Sequence, residues 1–324
     1  MPAAPAAQGG TMAKYKVVVS DQVFPTVDLE RALLAEIDAD LTVASGDVDE
    51  VLELASDADA ILNTYLPWDQ AAISGLENCK IIARYGIGVD NIDLAAAADA
   101  GIVVTNVPDY SVEEVATHAL ALILTTLRKV VSADSSVRSG TWSIDNFRPI
   151  RRLSTLTVGL VGYGRIARRI ADPLRALGAS IVAHDPYLQS GSDMPPLLDL
   201  PELLATADIV SLHLPLTEET RGLIGAAELA TMKPGAILVN TSRGPLVDLD
   251  ALAAALTGGH LSGAGLDVFD VEPLDAARIS GVPNLTVTPH MAYYSEEALE
   301  ESQRKAAAQV IKVLTGQQPD YKVN

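Results

Sequence analysis

The sequence predicts an α/β protein made of two doubly wound parallel sheets, with the second unit inserted into the first. Three observations predict it. Short apolar runs alternate with helical patterns twice along the chain. A glycine-rich turn, Gly162-Tyr163-Gly164, follows an apolar run in mid-chain and leads into a helical pattern. The composition is 48% apolar but only 4% aromatic, so the core must be Ala, Val, Leu and Ile, which suits parallel strands covered by helices. At 324 residues the chain is long enough for two domains of ordinary size.

The first alternation opens at Tyr15. Strands are expected at residues 15–20, 41–44, 60–64, 81–85 and 102–105, with helices between them such as 28–37 and 94–100. A long helix is expected over 111–131. Its Ser111 and Glu114 read as a capping box, and Ala116, Leu120, Ile123, Leu124 and Leu127 form an apolar stripe at helical spacing. A polar stretch rich in Ser, Arg, Gly and Trp runs on to about Ser154. The second alternation places strands at 156–161, 180–184, 209–214, 236–240, 263–268 and 285–288, with helices such as 165–177 and 249–256. A helix over 296–314 closes the chain. It follows the last strand of the second unit, so its return to the first would make the first domain discontinuous.

The formal net charge of −19 argues against nucleic acid and anionic membrane surfaces as partners, because an acidic surface repels both. A small anionic substrate stays possible, since a few Arg residues reverse the field inside a cleft. The single cysteine, Cys79, rules out a disulfide within the chain and a Cys-based metal site, and it reads as a buried, inert thiol. No His and carboxylate pairs have metal-ligand spacing, so no metal is expected. Residues 1–11 are rich in Ala, Pro and Gly, uncharged, and without the basic and apolar regions of a signal peptide. They read as a disordered tail. No apolar run is long enough to span a bilayer, and the protein is expected to be cytoplasmic.

The central turn carries a cofactor signature. Gly162 permits the tight turn, Gly164 lets the backbone approach a pyrophosphate, and the helix starting at Arg165-Ile166-Ala167 offers free N–H groups to phosphate oxygens. Such a motif alone is weak. It is strengthened by Asp185, which ends the next strand about 20 residues later, where a ribose-binding acid belongs. Its carboxylate accepts from ribose hydroxyls and repels a 2′-phosphate, so NAD is expected over NADP. Arg168 and Arg169 on the following helix are the side chains that would relieve that repulsion.

Hydride transfer at an alcohol carbon needs a cation for the substrate, an acid/base and a partner for that base. Arg243 follows the strand at 236–240, and an Arg at the carboxyl end of a parallel strand sits where ligands bind. Its planar fork suits a 2-oxo acid. His290 follows the strand at 285–288, and imidazole exchanges protons near neutral pH. Glu272, in the loop after the strand at 263–268, would hydrogen-bond His290 and favour the imidazolium. Asp267 closes that strand and would meet the nicotinamide. His213 and the Leu214-Pro215-Leu216-Thr217 loop would line the cofactor. His118, His184 and His260 rank lower.

Gly162-Tyr-Gly-Arg-Ile-Ala, Leu212-His-Leu-Pro-Leu-Thr, 239–248, 265–273 and Thr288-Pro-His290 together resemble the D-isomer-specific 2-hydroxyacid dehydrogenases, a group that includes D-3-phosphoglycerate dehydrogenase. The resemblance runs from about Tyr15 to Gly316. It implies two Rossmann-like domains: a flavodoxin-like substrate domain at 14–108 and 292–324, completed by the C-terminal helix, and an NAD-binding domain at 109–291, behind a tail at 1–13. It implies Arg243 as substrate-binding and polarising residue, His290 as acid/base and Glu272 as its partner. Substrate contacts would come from Tyr85, Gly86, Ile87 and Arg243, the backbone N–H groups near Gly86 and Ile87 holding a carboxylate. Cofactor contacts would come from Gly162, Gly164, Arg165, Ile166, Asp185, His213, Pro215, Thr220, Thr241, Ser242, Asp267, His290 and Tyr293. The family is usually dimeric through its nucleotide-binding domain.

Two functions are consistent with these residues. One is an NAD-dependent dehydrogenase or reductase of a small D-2-hydroxy or 2-oxo acid. The other is an NAD(H)-sensing regulatory scaffold, because His290-Met-Ala-Tyr-Tyr-Ser295 resembles the C-terminal-binding-protein corepressors. Those carry Trp where this chain has Tyr293 and Ala where it has Met291, so a particular substrate does not carry over.

Overall fold

Five short apolar runs, β1 (Tyr15–Val19), β2 (Ala39–Val43), β3 (Ala60–Asn63), β4 (Ile81–Arg84) and β5 (Val103–Thr105), pair in parallel in the order β2-β1-β3-β4-β5. The computed structural model describes residues 13–192 and 194–324, so nearly all of the tail expected at 1–13 lies outside the described residues. Every residue of β3 is buried, so the strand shows no polar alternation, as a sheet covered on both faces requires. The crossovers are α1 (Asp28–Ala35), α2 (Val48–Ala55), α3 (Gln70–Ser74) and α4 (Leu94–Asp99). Three of them start on an aspartate that accepts a backbone N–H three residues on. Asp47 accepts from Glu50 at 3.1 Å, Asp69 from Ala72 at 2.9 Å and Asp93 from Ala96 at 2.9 Å. The 2-1-3-4-5 strand order is the flavodoxin-like one.

A second unit runs unbroken from Ser111 to Ser295. It opens with α5 (Val112–Arg128), which ends at Lys129 in the left-handed region, φ 54°, and α6 (Val130–Arg138) leaves at a bend of 57°. The single helix expected over 111–131 is therefore two helices. α5 buries its stripe, including Ala116, Ile123 and Leu127, whereas α6 buries no residue. The left-handed Lys129 bends the chain where core burial stops. The expected capping box is also absent. The Ser111 side chain makes no cap bond, and Glu114 instead accepts from Ser295 Oγ at 2.8 Å, a tertiary partner that outcompetes the local one.

The sheet of this unit comprises β6 (Thr157–Val161), β7 (Ser180–His184), β8 (Ile209–Leu212), β9 (Ile237–Asn240), β10 (Gly263–Leu266) and β11 (Leu285–Val287), all parallel, in the order β11-β10-β9-β8-β6-β7. Helices α7 (Arg165–Ala176), α8 (Leu200–Thr206), α9 (Ala226–Thr231) and α10 (Leu249–Thr257) connect them. Beyond β7 a further edge pairs through a single parallel bridge between Ala183 and Leu197. There the Ala183 N–H donates to the Pro196 carbonyl at 2.9 Å and the Leu198 N–H to the Ala183 carbonyl at 2.8 Å. Counting that edge third, the order is 3-2-1-4-5-6-7, the Rossmann arrangement with its reversal point between β6 and β8. The sequence reading has no strand there because Pro195-Pro196 reads as loop. Proline is tolerated only because the strand is outermost.

The closing helix α11 (Glu296–Leu314) belongs to the first unit, where it packs on α1 and β4. The chain end joins the same sheet edge: the Val323 N–H donates to the Val104 carbonyl at 3.0 Å and Asn324 Nδ2 to the Ile102 carbonyl at 2.7 Å. Among the described residues, no single helix is long and apolar enough to cross a membrane.

Candidate active site

The glycine turn lies at the carboxyl end of β6. Gly162 has φ +83°, and a Cβ there would fall 2.5 Å from the His213 carbonyl oxygen, so both conformation and space demand glycine. Gly164 stands at the N-cap of α7 with no side-chain cap, and nothing lies within 4 Å of where its Cβ would be. A helix start of this kind leaves its first N–H groups without intrahelical acceptors. Asp185 follows β7 and is tied to the same turn: Oδ2 accepts from the Tyr163 N–H at 3.0 Å and Oδ1 from the Tyr187 N–H at 3.1 Å. Each oxygen keeps a lone pair for a ribose hydroxyl. The Arg168 guanidinium lies over the Tyr163 ring, 5.0 Å from its centroid, and Arg169 pairs with Glu113 at 3.2 Å. The two cations that would relieve repulsion of a 2′-phosphate thus have other partners.

Strands β8 and β9 bring further predicted residues to this edge. The His213 ring accepts or donates at Ser211 Oγ, 2.9 Å away, and burial pushes its pKa down to about 4, so it is neutral at working pH. Its Nδ1 and the Thr241 hydroxyl are buried without a hydrogen-bond partner among the described residues. Buried orphan polar atoms at the ends of two neighbouring strands are what a polar ligand would satisfy. Ser242 Oγ donates to the Leu212 carbonyl at 2.8 Å and links the two strand ends. Thr220 Oγ1 donates to the Pro215 carbonyl at 2.7 Å and closes the loop after β8. These features fit a dinucleotide: an uncapped helix start with space before it, a ribose acid, and orphaned acceptors and donors toward the far end.

The two residues expected to act as acid/base and partner come together at the ends of β10 and β11. His290 Nδ1 lies 2.6 Å from Glu272 Oε2, and Glu272 Oε1 accepts the Phe269 N–H at 2.8 Å. Partial burial works to raise the Glu272 pKa. The hydrogen bonds from His290 and Phe269, with the charges of His290 and Arg243, outweigh it and hold the carboxyl below its ordinary value. Arg243 follows β9, its Nη1 donating to the Ser242 carbonyl at 2.8 Å, and Asn240 Nδ2 fixes the Arg243 carbonyl at 2.8 Å. The Tyr293 ring stands edge-on to His290, centroids 6.2 Å apart.

Asp267 is wholly buried, and its carboxylate is used by the protein. It accepts from the Thr288 hydroxyl at 2.6 Å and from the N–H groups of Met291 and Ala292 at 2.9 Å each. His118 Nε2 lies 3.0 Å from Thr288 Oγ1, so His118 and Thr288 brace Asp267. Sequence reasoning missed both. Thr288 looks like one more β-branched strand residue, and His118 sits beside an apolar stripe. Among the described residues no group of three or more His, Cys, Asp or Glu could hold a metal ion.

In the first unit, Tyr85 departs from expectation. Its ring is 2% exposed and stacks edge-on with Phe24 at 4.6 Å, its hydroxyl donates to Glu30 Oε1 at 2.9 Å, and its N–H donates to the Asn63 carbonyl at 3.0 Å. With both donors and the ring engaged inside the core, Tyr85 has no group left for a substrate. Gly86 and Ile87 differ: their carbonyls accept from the Val107 N–H at 3.0 Å and Asn106 Nδ2 at 2.7 Å, which leaves their N–H groups as the segment's open donors.

Comparison with known proteins agrees with this geometry. The family model described as "D-isomer specific 2-hydroxyacid dehydrogenase, NAD binding domain" matches residues 120–292. The D-3-phosphoglycerate dehydrogenase of Mycobacterium tuberculosis is 41% identical over 278 residues, covering 84% of this chain and 52% of that protein. The glyoxylate reductase of Thermococcus litoralis is 38% identical over 286 residues, covering 85% and 86% respectively. The structure of Aquifex aeolicus D-lactate dehydrogenase complexed with NAD and lactic acid aligns with a TM-score of 0.83 at 30% identity, covering 93% of this chain and 96% of that one. The chain spans about half the length of the D-3-phosphoglycerate dehydrogenases it matches. With an NAD-binding-domain model matched across its Rossmann unit, this chain belongs to the D-isomer-specific 2-hydroxyacid dehydrogenase family.

Proposed function

We propose that this protein interconverts a small D-2-hydroxy acid and its 2-oxo acid with NAD as the redox partner. The observation that carries the reading is the His290–Glu272 pair at 2.6 Å with the Arg243 charge acting on the same carboxylate. The relatives reported above are dehydrogenases and reductases, so the enzymatic reading is carried forward in place of the corepressor-like one.

Gly162, Gly164, the N–H groups of Arg165 and Ile166, Asp185, His213, Pro215, Thr220, Thr241, Ser242, Asp267, His290 and Tyr293 would hold the cofactor, which when reduced supplies a hydride to the substrate carbon. In the reductive direction the Arg243 guanidinium draws electron density toward the carbonyl oxygen. The His290 imidazolium delivers a proton to that oxygen as it becomes a hydroxyl. Glu272 orients the ring through Nδ1, which leaves Nε2 to face the substrate, and stabilises the positive charge. The substrate carboxylate would be held by the N–H groups of Gly86 and Ile87. In oxidation the same groups run backward, with His290 as base.

The likeness in family points to a homodimer through the nucleotide-binding unit, and one surface supports it. α6 and the segment after it expose Val130, Val131, Val137, Trp142 and Ile144, with Trp142 88% exposed. Large apolar side chains left exposed along one short stretch are what a protein contact would cover, and a second copy is the partner proposed. Trp142→Glu should shift the species seen by light scattering from dimer to monomer. An unchanged mass would remove that surface from the reading. The acidic surface supports neither nucleic acid nor membrane partners, and a cytoplasmic site suits the unpaired thiol of Cys79.

The decisive experiment is NADH oxidation against a panel of 2-oxo acids that includes glyoxylate, hydroxypyruvate and pyruvate, with the product resolved on a chiral column. Turnover to the D-hydroxy acid is expected. Tight NADH binding with no 2-oxo acid consumed would overturn the proposal.

A further inference from the structure

The first unit contains a buried polar cluster that the reaction does not use. Glu30, on α1, is wholly buried. Its carboxylate accepts from the Tyr85 hydroxyl at 2.9 Å and from Gln303 Nε2 at 3.0 and 2.9 Å. Gln303, on α11, also donates to the Thr26 carbonyl at 2.8 Å. Its neighbour Ser302 donates through Oγ to the Tyr85 carbonyl. A buried carboxylate is costly unless its lone pairs are satisfied, so a fold keeps one where it fixes geometry. Burial, followed by the Glu30 charge and hydrogen bond, raises the Tyr85 pKa well above its ordinary value, so the phenol stays a donor.

The cluster converges on one residue. Tyr85 is gripped at its hydroxyl by Glu30, at its carbonyl by Ser302, at its N–H by Asn63 and at its ring by Phe24. The next two residues are Gly86 and Ile87, whose carbonyls are pinned and whose N–H groups are open. Tyr85 and the segment at Asn106-Val107 thus hold these donors from both sides.

We propose that Glu30, Tyr85, Ser302 and Gln303 are positioning residues for recognition of the substrate carboxylate, and that the closing helix sets the pose of the Gly86 and Ile87 donors through them. This rests on the carboxylate-binding role given to those donors above. Tyr85→Phe keeps the ring and its stacking and removes only the hydroxyl; Ser302→Ala removes the second grip. Each should raise KM for the 2-oxo acid turned over by the wild type by about ten-fold or more, since small misplacements of positioning groups are costly. The Kd for NADH should be unchanged and kcat should change far less than KM. Ser302→Thr, which keeps a hydroxyl, should restore KM.

A second readout does not depend on turnover. The amides of Tyr85 and Val107, which bond to Asn63 and Gly86, should exchange with deuterium faster in Tyr85→Phe and Ser302→Ala, while the β1 amides keep wild-type rates. Folded variants with wild-type KM and wild-type local exchange would overturn the brace. A wild type that consumes no 2-oxo acid would instead overturn the parent reading, and the exchange measurement would then still decide whether the brace exists.

Discussion

The Asp267 carbonyl accepts the His290 N–H at 2.8 Å, and His290 sits in the left-handed region with φ +50°. An imidazole-bearing residue rarely adopts that backbone unless its surroundings impose it. The same aspartate grips the two following residues through its carboxylate, accepting the N–H groups of Met291 and Ala292. One residue thus sets the turn that aims the acid/base.

Asp267→Ala should cost both stability and rate. Its buried carboxylate leaves behind two N–H groups and the Thr288 hydroxyl without an acceptor, each unsatisfied group costing about 1–3 kcal/mol. The kcat should fall by about 100-fold as His290 drifts. Chemical denaturation and steady-state kinetics check the two effects. A variant of full activity would show that the turn holds without Asp267.

His290→Ala should remove turnover by about 10²–10⁴-fold, the usual contribution of a positioned acid/base, and weaken NADH binding far less, since the other cofactor contacts remain. Fluorescence titration with NADH separates the two. Lost NADH affinity with the fold preserved would contradict the acid/base role.

The acid limb follows from Glu272. Its folded pKa is held below the ordinary value of 4.5, so its contribution is present above that value and disappears as pH falls through the lowered one. At neutral pH Glu272→Gln should therefore show a lower Tm and a lower kcat than wild type. The Tm gap should close as pH falls below 4.5. A gap constant through that window would exclude the pair as its source.

The cofactor turn separates two glycines. Gly162→Ala meets a positive φ and the His213 carbonyl, so it should lower Tm. Gly164→Ala meets open space at an ordinary φ of −80°, so Tm should hold while NADH affinity falls. Equal NADH affinity in a folded Gly164→Ala variant would move the pyrophosphate elsewhere.

Asp185→Ala should narrow the preference for NADH over NADPH. Because Arg168 and Arg169 are engaged by Tyr163 and Glu113, preference should not invert. Ratios of kcat/KM for the two cofactors check this, and an unchanged ratio would count against a ribose contact.

Most of the fold was legible because parallel strands announce themselves as apolar runs. What escaped depended on tertiary competition. The stripe of α5 runs into Val130 and Val131 without a break in pattern, yet the chain bends at Lys129 and leaves both exposed; nothing local distinguishes a buried valine from an exposed one. Ser111 and Glu114 have the capping spacing, but Ser295 takes the glutamate. Of the candidate site, the expected pairing of Glu272 with His290 is the part the structure brings together, at 2.6 Å. Tyr85, a substrate contact by the family resemblance, is instead held in the core by Glu30, 55 residues earlier, a pairing that no local pattern announces.

The discontinuous first unit has a consequence for synthesis. The nucleotide-binding unit is one uninterrupted stretch, Ser111–Ser295, and every one of its strands has been synthesised before α11 is made. The first unit is begun earlier but lacks α11 and the Val323–Asn324 edge until those later residues are added. Nascent chains should therefore complete nucleotide-binding structure first, with the earlier-made α1 and β4 surfaces exposed and in need of protection until α11 emerges.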